Sequence, residues 1–216
     1  MSGKTKKLTM LAMLAAVSFV AMMATRSIPT VFGFLRYDPK DITLVISGML
    51  FGPLAGTGAA VLVCVLEFIT FGETGLWGLL MDVVSSASFV FCAAMIYKYR
   101  RKLSGAALGL VFAVIFSTVV MLLWNYLIVP VYTPEITRQA VAGMLIPVFL
   151  PFNLIKSTLN ASAVMLLYKP IVTGLRRINL MPPSASAPKG ARLSLVVAGV
   201  SLLVMALSIV LMVVIG

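Results

Sequence analysis

Histidine is absent from these 216 residues, and acidic residues number only six. The first absence removes the commonest metal ligand and the usual general base at neutral pH. The second leaves few carboxylates for acid–base or metal chemistry. Cysteine is nearly absent too: Cys64 and Cys92 each stand alone in an apolar stretch. They make neither a CxxC pair nor a zinc spacing, so packing is the role they suggest. Charged residues amount to 11%, against about 25% in soluble domains, which excludes a soluble globular chain. No nucleotide-phosphate loop is present. Gly3-Lys4-Thr5 mimics the end of a Walker A motif without the upstream glycine or the preceding strand. No nucleophile–base pair or metal set is visible, so an intramembrane enzyme is the weakest functional class.

What the chain has instead is apolar length. It is 61% hydrophobic with a mean hydropathy of +1.11. The runs are long and continuous, as membrane helices require, and the short alternating segments of a barrel are missing. The expected fold class is an all-α integral membrane protein surrounded by lipid. Apolar segments cover 8–25, 42–69, 76–97, 108–131, 141–167 and 193–215. The first, preceded by Lys4, Lys6 and Lys7, resembles a signal peptide but exceeds the usual ~7–15 apolar residues, and Met22 spoils a small-x-small cleavage site. It reads as a retained helix with its N-terminus in the cytoplasm.

The net charge of +11 does not point to nucleic acid, because the basic residues cluster at the ends of apolar segments. They also resolve segment 42–69, which Phe51-Gly52-Pro53 interrupts. A single span there puts the basic cluster 98–102 outside; two helices turning at Gly52-Pro53 put it inside. With two helices, twelve basic residues lie inside and four outside, the four being Arg26, Arg36, Lys40 and Arg138. The first of the two, 39–51, is only about 20 Å long. A bilayer core is ~30 Å thick, so this helix is expected to be sheltered by neighbours or partly re-entrant. Asp38-Pro39 offers it an N-cap acceptor and a first-turn proline. The predicted organisation is a six-helix membrane domain (1–178), a Pro/Ser/Ala linker (179–192) and an additional membrane helix (193–216). No inverted repeat is evident, which weakens a two-halves secondary transporter.

The polar residues within apolar segments carry the functional signal. Lys156 lies in one of them, where an ionisable group costs about 2.5–3.5 kcal/mol and is normally retained for a pathway, pocket or partner. Asn153 and Asn160, three residues before it and four after, share its helix face. Asn125 brings a second amide from another helix. Pro147 and Pro151 free backbone carbonyls and kink the helix, as happens where membrane helices line cavities. The bland alternative is an interhelical hydrogen bond worth ~0.6 kcal/mol. The outer loop 26–40 contains Phe34, Leu35 and Tyr37 beside Gly33. These side chains either cover a flat ligand or anchor at the membrane interface. Glu67 and Asp82 read as charge partners of Lys156, or as groups near the outer interface, more readily than as a proton relay. Ala12 and Ala16 form a small-xxx-small pair that lets another helix approach closely.

Together these strings resemble the substrate-binding S components of energy-coupling factor (ECF) vitamin transporters, specifically the riboflavin-binding members. The matching pieces are the small-residue first helix, Leu35-Arg36-Tyr37-Asp38-Pro39-Lys40-Asp41-Ile42, Phe51-Gly52-Pro53-Leu54-Ala55-Gly56, Trp124-Asn125-Tyr126 with Pro130-Val131-Tyr132, and Leu150-Pro151-Phe152-Asn153-Leu154-Ile155-Lys156. They cover about residues 8–170. The resemblance implies six helices with both ends cytoplasmic, and riboflavin carried as substrate, with no cofactor, in an outward cavity. It implies that Asn125, Asn153 and Lys156 are polar ligand contacts. It further implies that the first-helix alanines face a transmembrane coupling subunit with two ATPase subunits beneath. This chain departs from the family in having Val63-Cys64 where a Lys-Asn or Lys-Asp pair is usual, Asp82 where Asn is frequent, and a seventh helix. Isoalloxazine is flat, with a urea-like edge that an asparagine amide can pair. Riboflavin is neutral, so Lys156 would donate hydrogen bonds; with flavin mononucleotide it would meet phosphate. The competing class is a proton-coupled carrier using Glu67 or Asp82.

Overall fold

The computed structural model describes residues 3–27, 30–72, 75–177 and 191–215. Helices α1 (Gly3–Thr25), α2 (Lys40–Phe51), α3 (Pro53–Phe71), α4 (Gly75–Tyr99) and α5 (Leu103–Tyr132) follow in order. Next come α6 (Arg138–Met144), a π-helical turn (Leu145–Phe149), α7 (Leu150–Arg177) and α8 (Ala191–Ile215). Among the described residues there is no strand beyond an isolated bridge between Val31 and Leu35. Among the described residues six helices are long and apolar enough to cross a membrane, with α6, the π turn and the body of α7 counting as one span, Arg138–Leu175. This is an all-α, multi-pass membrane fold: a six-helix bundle and one further helix.

Helix α2 is the exception in length and in position. Twelve residues give about 18 Å, too little for a bilayer. Leu44, Val45 and Ile46 are completely buried, and α2 packs against α1, α3, α4 and α7. The expected shelter is therefore complete: α2 forms the axis of the bundle, and its neighbours meet the lipid with apolar side chains such as Val17, Leu62, Phe112 and Ile115. Its end is set by Gly52, whose φ of 105° closes the helix before Pro53 opens α3. A side-chain-bearing residue rarely adopts that backbone conformation. The two helices then lie almost backbone to backbone. A Cβ on Gly56 would stand 2.7 Å from the Gly48 amide nitrogen, so any side chain there would drive α2 and α3 apart. The surrounding core is built of small residues, among them Ala60, Ala93, Ala106 and Ala113, which permit the same close approach between longer helices.

The start of α2 differs from the sequence expectation in detail. Pro39 is the N-cap, one position before the first turn. Asp38 still serves as an acceptor, its Oδ1 receiving the Lys40 backbone N–H at 2.9 Å. At the other end of the chain, α8 packs along α7. Its Ser201 and Ser208 are buried while Leu203, Val213 and Val214 are exposed, so the polar stripe turns toward the protein. The proposed linker, 179–192, lies outside the described residues except for the first residues of α8.

Candidate functional site

A cavity of about 240 Å³ opens at one end of the bundle, just under the ~300–1,000 Å³ usual for small-molecule sites. It lies between the C-terminal ends of α1, α3 and α5 and the N-terminal halves of α4 and α7, under the loop that joins α1 to α2. The basic cluster Lys98, Arg100, Arg101 and Lys102 is at the far end of α4 and the start of α5. Asn125, Asn153, Lys156, Phe34, Leu35 and Tyr37 all line the cavity.

Each polar wall residue is presented by its helix in a definite way. Asn125 Nδ2 donates to the Met121 carbonyl at 2.7 Å, and Asn153 Nδ2 donates to the Phe149 carbonyl at 2.7 Å. Each amide thereby fixes its orientation on its own helix and keeps its carbonyl oxygen and second N–H for the cavity. The carbonyl that holds Asn153 belongs to the last residue of the π turn, between Pro147 and Pro151. Single π turns widen a helix locally and recur at functional sites. Lys156 follows one turn later and lines the same wall. Ser157, next in sequence, points elsewhere: its Oγ lies 3.2 Å from that of Ser117.

Asn160, on the Lys156 face, is almost fully buried and has a different task. Its Oδ1 accepts the Tyr37 hydroxyl at 2.9 Å, and its Nδ2 donates to the Asp38 carbonyl at 3.1 Å. It holds the loop rather than the cavity wall. Burial, with Asp38 and Asp41 nearby, pushes the Tyr37 phenol well above its usual range, so it stays a neutral donor. The loop itself is tightly turned: Val31 and Leu35 exchange backbone hydrogen bonds of 2.6 and 2.9 Å, with Phe32 and Gly33 at positive φ between them. The turn directs Phe34 edge-on to Phe149, ring centroids 6.1 Å apart.

The acidic residues overturn one expectation. Glu67 and Asp82 line the cavity, but the direct partner of both is Lys40, not Lys156. Lys40 Nζ donates to Glu67 Oε2 at 2.8 Å, to both Asp82 oxygens at 2.6 and 2.7 Å, and to Asp38. Arg26 adds a contact to Glu67 at 3.4 Å and lies over the Phe71 ring. Lys40 counts as an outer basic residue by charge parity, yet its side chain is only 1% exposed. The sequence signal for it was an Asp-Pro-Lys-Asp run opening a helix too short to span. The oxygens of Asp38, Glu67 and Asp82 cluster as a cation site would; the lysine ammonium takes that place.

A polar cavity walled by membrane helices, with an aromatic loop over its mouth, defines a multi-pass membrane protein of the solute-handling kind. Comparison with known proteins makes this specific. Residues 6–168 match the family described as ECF transporter, substrate-specific component; the chain belongs to that family, whose members are transporter subunits and not enzymes. It is similar to the riboflavin transporter FmnP of Bacillus subtilis (strain 168), 30% identical over 161 residues covering 71% of this chain and 85% of the relative. It is also similar to the riboflavin transporter RibU of Staphylococcus aureus (strain TCH60), 28% identical over 180 residues, 81% of this chain and 95% of the relative. A solved structure described as the S component of a bacterial ECF transporter superimposes with a TM-score of 0.66 at 29% identity, covering 81% of this chain and 99% of that one.

Proposed function

We propose that this chain is the riboflavin-binding subunit of an ECF uptake transporter and that Asn125, Asn153 and Lys156, with Phe34, Leu35 and Tyr37, form its ligand site. The observation that carries the reading is convergence: amides from α5 and α7 and an ammonium from α7 meet in one cavity beneath apolar loop residues. The names of the relatives support the same ligand. Arg26, Arg36 and Lys156 line the cavity together with Asp38, Glu67 and Asp82, a mixed lining that offers a neutral flavin both donors and acceptors. The engagement of Glu67 and Asp82 by Lys40 supports a structural role for these carboxylates over a proton relay.

Two groups of basic residues, Lys4, Lys6 and Lys7 at the start of α1 and the cluster 98–102 between α4 and α5, lie at the end of the bundle opposite the cavity. By the positive-inside rule this supports an N-terminus in the cytoplasm and a cavity open to the outside. Transport would then need a transmembrane coupling subunit and two ATPase subunits. The test is titration of detergent-purified protein with riboflavin. The expected result is quenched flavin fluorescence at one ligand per chain, yellow protein after desalting, and weaker binding of flavin mononucleotide. Absence of quenching at micromolar riboflavin would exclude the assignment.

We further assign 1–178 as the binding domain, 179–192 as a linker and 193–216 as an added anchor. No described residue of α8 lines the cavity, and α8 packs on α7 from outside the bundle. Truncation after Arg177 is therefore expected to keep riboflavin affinity within about threefold, below ~0.7 kcal/mol. A larger loss in a monodisperse truncated protein would show that α8 shapes the site.

A further inference from the structure

Several elements meet at one nitrogen. Lys40 Nζ, at the first turn of α2, contacts Asp38 of the loop, Glu67 of α3 and Asp82 of α4. The same residue's carbonyl accepts the Ser18 hydroxyl of α1 at 2.7 Å. Two residues earlier, the Asp38 carbonyl is held by Asn160 of α7. Residues 37–40 thus join the loop to α1, α3, α4 and α7. Oxygens of the three carboxylates lie within 4.8 Å of one another. At that spacing they repel one another unless a positive charge sits among them. Arg26 also meets Glu67, at 3.4 Å, but Lys40 Nζ touches all three carboxylates. The ammonium is therefore what allows Asp38 to stay beside Glu67 and Asp82. Asp38 in turn follows directly on Tyr37, on the short loop that carries Phe34 and Leu35 over the cavity.

We infer that Lys40 is a positioning residue whose ammonium acts as an internal cation, holding loop 30–39 closed over the cavity and so setting how long a ligand stays bound. This rests on the reading of that cavity as the ligand site. An ammonium on a tether does here what a coordinated alkali cation does elsewhere: it gathers carboxylates from separate segments, but it cannot dissociate.

The experiment uses full-length Lys40→Ala in detergent, with two readouts: the rate of riboflavin release, and amide hydrogen exchange over 30–38 without ligand. Both are expected to rise at least about tenfold, as loss of a buried partner charge implies. Ethylammonium should reverse both changes saturably, because it returns a cation to the vacated space. Ethanol, of the same shape and without charge, should not. Unchanged release and exchange would overturn the inference, and so would equal rescue by ethanol, which would mean that the lysine only fills volume. If Lys40→Ala does not remain monodisperse, Asp38→Asn keeps the loop's size and removes its charge; faster exchange over 30–38 is then expected, and unaltered exchange overturns the inference. The exchange measurement needs no ligand. It therefore still decides the role of Lys40 if riboflavin proves not to bind, an outcome that would count only against the proposed substrate.

Discussion

Replacing Ala12 and Ala16 together by leucine is expected to reduce uptake to background and to leave riboflavin affinity within about twofold. Helix α1 has two unlike faces. Met10, Leu14, Ala15, Ser18 and Met22 are buried against the bundle, where α1 packs on α2 and α3. Ala12 and Ala16 lie on the other face, exposed, with Leu8, Val17 and Val20 beside them. In lipid a leucine is as well accommodated as an alanine, so the double substitution leaves the isolated subunit stable. What it removes is close approach: helices in membranes associate through packing at small residues, and two isobutyl groups at the centre of the stripe hold a partner helix away. Neither alanine lines the cavity, so binding and transport should separate. Uptake in cells with the coupling and ATPase subunits, alongside titration of the purified variant, checks this. Normal uptake by the double variant would remove α1 from the proposed interface, and loss of binding would show that α1 supports the cavity.

The second large effect is expected in the cavity itself. Asn153→Ala and Lys156→Ala should each weaken riboflavin binding about ten- to a hundredfold, the consequence of losing a buried polar contact worth ~1–3 kcal/mol. Ser157→Ala should leave affinity nearly unchanged. The contrast follows from direction: Asn153 and Lys156 line the cavity, whereas the Ser157 hydroxyl is turned to Ser117 on α5. Asn153 has a second reason to matter, because the bond from Nδ2 to the Phe149 carbonyl fixes its amide in the cavity wall. Asn153→Asp retains the shape and exchanges donors for acceptors, and it should fail as fully as alanine. Fluorescence titration of the four variants gives the comparison. Near-native affinity in both alanine variants would place the ligand elsewhere.

Much of this architecture is readable without coordinates. The break at Gly52-Pro53 follows from charge parity and local backbone chemistry, and the shortness of α2 announces that it needs shelter. The face shared by Asn153 and Lys156 follows from helical periodicity alone. Other features are not of that kind. Asn160 has the same periodic signature as Asn153, yet the structure gives it to Tyr37 and Asp38, more than a hundred residues earlier in the chain. Glu67 and Asp82 read as charge partners of Lys156 or as groups near the outer interface, and the lysine they contact is Lys40. Lys40 counted only as one of four basic residues on the outer side.

What the sequence by itself determined is therefore everything governed by nearest-neighbour physics: membrane helices from apolar run length, their ends from glycine, proline and charge, and their polar faces from the 3.6-residue repeat. Only the tertiary structure decided which lysine neutralises which carboxylate, that α2 runs through the middle of the bundle, and that the loop after α1 closes over the cavity. These depend on contacts between segments 27 to 123 residues apart, for which sequence spacing carries no period. The physical reason is reach. A lysine ammonium stands about 6 Å from its backbone, far enough for Lys40 at the head of α2 to choose among carboxylates on three elements, and the packing of α2 against α3 and α4 makes that choice.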